Sequence, residues 1–205
     1  MAIRKPRALV DGDGLLFDFV GGALGVVKFV TGRNYTRAQV TEFNFCKALG
    51  LSAHEIDRVM QHIGRTPGFC AELPVYFGAL DGMRRLHEVA EVHVITSPWP
   101  SSLTWAHERT MALRKAFGIH HDNVHPSSGK YVFAGDMFVD DKASHVAAWI
   151  EEWPDKLAVL WRTPHNRTES LPVGARETSS WDDLVKWIEK PRSGTLEMWP
   201  EMARG

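Results

Sequence analysis

Short apolar runs at residues 8–10, 92–95, 132–139 and 157–161 recur along the chain, each bounded by turn residues. Uninterrupted runs of this length are what strands buried on both faces of a parallel sheet require. Stretches with helical spacing lie between and after them, at 82–89, 103–117, 142–152 and 181–189. This alternation predicts an α/β sheet with helices on both faces. Residues 20–80 break the rhythm. There Val40, Phe43, Phe45 and Leu49, then Ile56, Val59, Met60 and Ile63, recur at helical intervals without a convincing strand. That pattern predicts a small helical insertion after the first strand. Residues 191–205 have little periodicity and predict a surface extension, with Trp199 inside it.

Composition narrows the picture. A chain of 205 residues with 44% hydrophobic content is long enough to bury a core without staples. Its 24 basic and 25 acidic residues nearly cancel, which excludes a broad electrostatic footprint for nucleic acid or membrane. Any charged partner must be handled locally. Cys46 and Cys70 form no CxxC pair, which argues against a zinc knuckle or a disulfide framework and leaves both as small buried side chains. A reduced, cytoplasmic setting is expected, because the apolar stretch after the basic MAIRKPR is too short for a signal-peptide core and no segment reaches the length of a membrane span. The sequon Asn166-Arg167-Thr168 is discounted on the same ground.

The chemistry-bearing residues gather where the strands end. Asp11 and Asp13 follow the first run, Thr96 and Ser97 close the second, and Asp136, Asp140 and Asp141 flank the third, with Lys130 just ahead of it. In open α/β sheets, ligands collect at the carboxyl ends of strands. Each residue has a plain reading when taken alone. DGDG suits a solvated turn, Thr96-Ser97-Pro98 a helix cap, Asp140-Asp141 a strand-ending turn, and Lys130 the surface. A calcium loop is rejected because Leu15 and Leu16 stand where its oxygen ligand and glycine belong. SSGK is not a phosphate-binding glycine loop, since Val124 replaces its first glycine and Tyr131 its final hydroxyl residue. Taken together, carboxylates for Mg²⁺, hydroxyls and a lysine make a cradle for a phosphoryl dianion. His120, His121 and His125 form the only histidine cluster, in a stretch that reads as a loop rather than a metal site.

DGDGLL, VITS, a lysine and GDMFVDD, in that order, resemble the four motifs of the haloacid dehalogenase superfamily of aspartate-nucleophile phosphatases. DGDGLLFDF, ITSPW, GDMFVDDK, His165-Asn166 and SWDDLVKWI are similar to the 5′(3′)-deoxyribonucleotidases within it, over roughly residues 8–190. The resemblance implies a Rossmann-like core at 1–19 and 81–190 with a helical cap at 20–80. It also implies Mg²⁺-dependent hydrolysis of nucleoside monophosphates through an aspartyl-phosphate. Asp11 would then be the nucleophile and Asp13 the general acid and base, offering its backbone carbonyl to the metal. Thr96 and Ser97 would bind phosphoryl oxygens, and Lys130 would neutralise charge. Asp140 and Asp141 would serve the metal ahead of Asp136. Phe19 would line the nucleoside pocket, with Trp99 as a weaker candidate, and Phe69 and Tyr76 are further aromatics near the return from the cap. Gly12 departs from the family pattern and predicts a looser loop around Asp11. The competing expectations are a phosphatase of the same superfamily for another small metabolite, and a catalytically silent binding module. The partner is a small phosphorylated molecule, and a homodimer is left open.

Overall fold

The computed structural model describes residues 4–189; the expected extension and Trp199 lie outside them. The run at 8–10 forms the centre of β1 (Arg7–Asp11). It is followed by the helices α1 (Phe19–Thr31), α2 (Phe45–Ala48), α3 (Ala53–Arg65) and α4 (Ala79–Val89). Then come β2 (Glu91–Thr96), α5 (Trp105–Phe117), β3 (Val124–Pro126), β4 (Met137–Asp140), α6 (Ala143–Glu152), β5 (Leu157–Trp161), β6 (Arg176–Thr178) and α7 (Trp181–Glu189). The six strands form one parallel sheet in the order β3-β2-β1-β4-β5-β6.

Alternation along the strands sorts the core into two layers. Leu9, Ile95, Phe138 and Leu160 pack against Val146 and Trp149 of α6. Val10, Val94 and Val139 belong to the opposite cluster, with Leu86 of α4, Leu113 of α5 and Leu184 of α7. Helices therefore cover both faces, as the apolar runs require. β1 lies at the sheet's centre, where the chain winds out to β2 and β3 on one side and to β4, β5 and β6 on the other. This is the switch point at which α/β sheets open a ligand crevice.

Several boundaries differ from the sequence expectations. The run at 132–139 is a strand only from Met137 to Asp140. Before it, residues Lys130–Val132 form a 3-10 turn that leaves Tyr131 and Val132 in solvent and buries Lys130. α4 starts at Ala79 and α5 at Trp105, rather than at 82 and 103. β3 and β6 were not expected: they are three-residue strands at the sheet's two edges, VHP and RET, too short and too polar to read as apolar runs. Between β1 and α4 the described chain holds helices and no strand. Phe43 and Met60, part of the helical pattern there, are exposed, while Val40, Phe45, Leu49, Val59 and Ile63 are buried.

Candidate active site

Three strand ends and one turn build the crevice. Asp11 ends β1, Thr96 ends β2, and Asp140 ends β4 with Asp141 directly after it. The 3-10 turn swings Lys130 beneath them. Its Nζ lies 2.7 Å from Asp11 Oδ1 and 2.7 Å from Asp140 Oδ2. Carboxylate oxygens of Asp11, Asp140 and Asp141 lie within 4.8 Å of one another, and all three residues are buried. One ammonium cannot neutralise three carboxylates. Burial, and then the charge of Asp140, hold the Asp11 carboxyl well above the usual carboxylate range despite Lys130. Burial also pushes up Asp141, against the pull of a bond to His165. Burial works on Asp140 in the same direction, but Lys130 and His145 bring its carboxyl below the ordinary value. Burial disfavours the Lys130 cation, yet Asp11 and Asp140 outweigh it and raise its pKa. The set is left short of positive charge, with hard oxygen donors facing one another. That is the donor chemistry a small divalent cation such as Mg²⁺ satisfies.

Asp13 sits one step out and is half-buried. Its Oδ1 accepts from Arg109 Nη2 at 2.6 Å. The loop between them is held, not loosened, at Gly12, contrary to expectation: the Gly12 carbonyl accepts from Leu16 N at 3.0 Å and Phe17 N at 2.9 Å. A Cβ at Gly12 would come within 3.0 Å of Thr96 Oγ1, so a larger residue would crowd the hydroxyl. Gly14 has φ +80°, and a Cβ there would collide with the Asp141 carboxylate. Thr96 Oγ1 is buried and has no hydrogen-bond partner among the described residues. Ser97 and Trp99 follow it, both half-buried.

A ring of aromatic side chains adjoins the crevice. Phe19, the first residue of α1, lies 5.7 Å from Trp99, 6.0 Å from Phe45, 6.2 Å from Phe69 and 6.3 Å from Trp105, centroid to centroid. Asp18 caps α1 by accepting from Gly21 N at 2.8 Å and also pairs with Arg37, a structural use in keeping with its place at the turn.

The remaining candidates separate. Asp136 stands at the opposite end of β4, accepting from Arg7 N at 2.9 Å and pairing with Lys156 at 2.8 Å, remote from Asp11. The histidine stretch divides: His120 and His121 are exposed beside Asp122, whereas His125 stacks on His93 with Nε2 2.9 Å from His93 Nδ1. Cys46 and Cys70 are free and buried. Three contacts were not anticipated from sequence. His145 Nδ1 lies 3.1 Å from Asp140 Oδ2, and His165 Nε2 lies 2.9 Å from Asp141 Oδ2. The third is Arg109, which shares the buried face of α5 with Trp105, Ala112 and Leu113. An arginine in that apolar stripe was the available signal. Asn166, the sequon residue, is fully buried and donates to Asp141 O at 2.5 Å and Trp161 O at 2.8 Å.

The fold matches that of haloacid dehalogenase-like hydrolases of known structure. The family protein SP0104 from Streptococcus pneumoniae superposes with a TM-score of 0.60 at 11% identity, covering 89% of this chain and 98% of that one. The HAD-hydrolase YfnB from Bacillus subtilis, bound to magnesium, does so with a TM-score of 0.54 at 13% identity, covering 92% and 100%. The fold is therefore that of the haloacid dehalogenase superfamily. Within it, residues 5–192 match the family described as 5′ nucleotidase, deoxy (pyrimidine), cytosolic type C protein, and the chain belongs to that family. The human cytosolic-type 5′(3′)-deoxyribonucleotidase is 28% identical over 207 residues, covering 95% of this chain and 98% of its own.

Proposed function

We propose that the protein is a Mg²⁺-dependent phosphomonoesterase that dephosphorylates deoxyribonucleoside and ribonucleoside monophosphates in the cytoplasm. In this reading residues 1–19 and 81–190 act as catalytic core and residues 20–80 as cap. The observation that carries it is the Lys130 ammonium set between Asp11 and Asp140 under a crowded group of carboxylates. Asp11, Asp140, Asp141 and the Asp13 carbonyl would hold Mg²⁺, which when bound supplies charge for the phosphoryl oxygens.

The chain's own residues then divide the work. Asp11 attacks phosphorus, forming the aspartyl-phosphate as the bond to the ester oxygen breaks. Asp13 gives its proton to that leaving oxygen. In the second half it takes a proton from the water that attacks phosphorus and frees Asp11. The buried Thr96 hydroxyl, without a hydrogen-bond partner among the described residues, is an acceptor-seeking donor, which suits it, with Ser97 beside it, to the equatorial phosphoryl oxygens. Lys130 balances the charge that Asp11 and the phosphoryl group share. Phe19, with Trp99 tilted against it, offers aromatic surface for a base.

Phosphate release from ribo- and deoxynucleotides, sugar phosphates and p-nitrophenyl phosphate, with and without Mg²⁺, tests this, with Asp11→Asn as the inactive control. Release from nucleotides that needs the metal is the expected result. No release from any substrate sinks the enzymatic reading, and release from sugar phosphates alone sinks the nucleotide assignment. Independently of turnover, MgCl₂ is expected to raise the melting temperature of the wild type and to do so much less for Asp141→Asn.

A further inference from the structure

Arg109 is wholly buried, on a helix that otherwise presents apolar residues to the core. A buried guanidinium is costly unless its charge is answered, so its surroundings show what it is for. Its Cζ lies 4.5 Å from the Phe17 ring centroid and 5.2 Å from that of Trp105, so aromatic faces flank it. Among the described residues its Nε and Nη1 have no hydrogen-bond partner. Among the described residues its one ion pair is with Asp13, 2.6 Å from Nη2 to Oδ1. The nearby Cys70 thiol does not compete as an anion, because burial pushes it up to about 12. Glu108, next along α5, is occupied with the backbone, accepting from Gly68 N at 2.7 Å and Cys70 N at 3.1 Å. The charge of Arg109 is therefore directed at one carboxylate.

We infer that Arg109 is the positioning residue for Asp13, clamping Oδ1 so that Oδ2 is the oxygen that hands a proton to the leaving group and later takes one from water. The inference rests on the phosphatase reading above and adds a residue to it. Asp13 sits in a loop and is partly open to solvent, so its side chain has rotamers to choose among. A clamp from the buried interior removes that freedom at Oδ1 and leaves Oδ2 unpaired with Arg109. Proton balance is unchanged, since Arg109 neither gives nor takes a proton and only the Asp13 Oδ2–H bond breaks and re-forms.

Leaving groups test this. Nitrophenolate departs without a proton, whereas an alkoxide needs one. Rapid-mixing and steady-state kinetics of wild type, Arg109→Met and Arg109→Lys would use p-nitrophenyl phosphate and an alkyl phosphate (thymidine 5′-monophosphate, or the sugar phosphate the wild type turns over fastest). For Arg109→Met, kcat on the alkyl phosphate is expected to fall about 10²-fold with KM little changed, the size of a lost general acid. On p-nitrophenyl phosphate the same variant should release one nitrophenolate per site in a fast burst, then turn over slowly, because Asp13 is still needed for water. Arg109→Lys, which keeps the charge and loses the fork, should fall between the two. If Arg109→Met does not fold, the same split between substrates in Arg109→Lys decides. Equal losses in burst and turnover on both substrates, or full activity, overturn the inference. A wild type inactive on every phosphate overturns the phosphatase reading itself and the inference with it.

Discussion

At the scale of single residues, Asp11 is stressed before any substrate arrives. It is buried, faces Asp140 and Asp141, and shares one lysine with Asp140. In metal-free solution Asp11→Asn is therefore expected to raise the melting temperature, by about 2–8 °C for about 1–2 kcal/mol of relieved charge burial and repulsion, while abolishing turnover. Lys130→Met should do the reverse and cost about 3–5 kcal/mol, because it leaves two buried carboxylates without their cation. Thermal melts in EDTA read both, and a destabilised Asp11→Asn would contradict the electrostatic account. These residues were legible in the sequence because chemistry ties the aspartates to strand ends and Lys130 to the turn just ahead of one. Arg109 was not, since nothing in the local pattern says that a helix residue will reach a loop 96 positions earlier. The looser loop expected from Gly12 failed because its carbonyl's two partners, Leu16 and Phe17, follow only once the chain doubles back.

At the scale of elements, the segment after β5 acts as a brace. Asn166 accepts from Thr163 N at 2.9 Å while donating to Asp141 O and Trp161 O, so one side chain ties β5 to the residue after β4. Asn166→Ala strands these groups in the interior. It is expected to cost about 2–4 kcal/mol in urea denaturation and to weaken Mg²⁺ binding about 10-fold, the usual size of a lost supporting contact. Unchanged metal affinity in a folded variant would separate the brace from the site. Helices α3 to α7 read from periodicity, whereas α1, of 13 residues, was not read separately within the insertion. β3 and β6 did not, because edge strands of three residues carry no period to detect, and their pairing comes from neighbours already in the sheet. The run at 132–139 misled because Val132, at its start, is exposed and apolar for no packing reason.

For the whole molecule, pH acts on stability through buried histidines as well as through the crevice. Burial lowers the pKa of His87, His93 and His125 below the usual histidine value. A depressed folded value means the unfolded chain takes up these protons first. Their contribution is complete above about pH 6.5, declines as the pH falls through that value, and levels off below the folded values. Asp11 and Asp141, shifted upward, act in the opposite sense as the pH falls. Melting temperatures from pH 8 to pH 5 should therefore fall less in His93→Gln/His125→Gln than in the wild type, and parallel curves would remove the stacked pair from the explanation. The α/β class and the helical stretch between β1 and α4 were both legible at this scale, because alternation and its interruption are global patterns.

The parallel sheet also dictates the order in which the protein can assemble. β1 precedes both of its neighbours in the chain, and its residue Ala8 pairs with Val92 on one side and Met137 on the other. A ribosome adding about 5–20 residues per second needs on the order of ten seconds to supply the second neighbour. Throughout that interval the central strand has both edges open, and Asp11 has no lysine. Early synthesis therefore exposes a strand whose centre is buried between two neighbours in the finished enzyme, and shielding by a chaperone would matter most then.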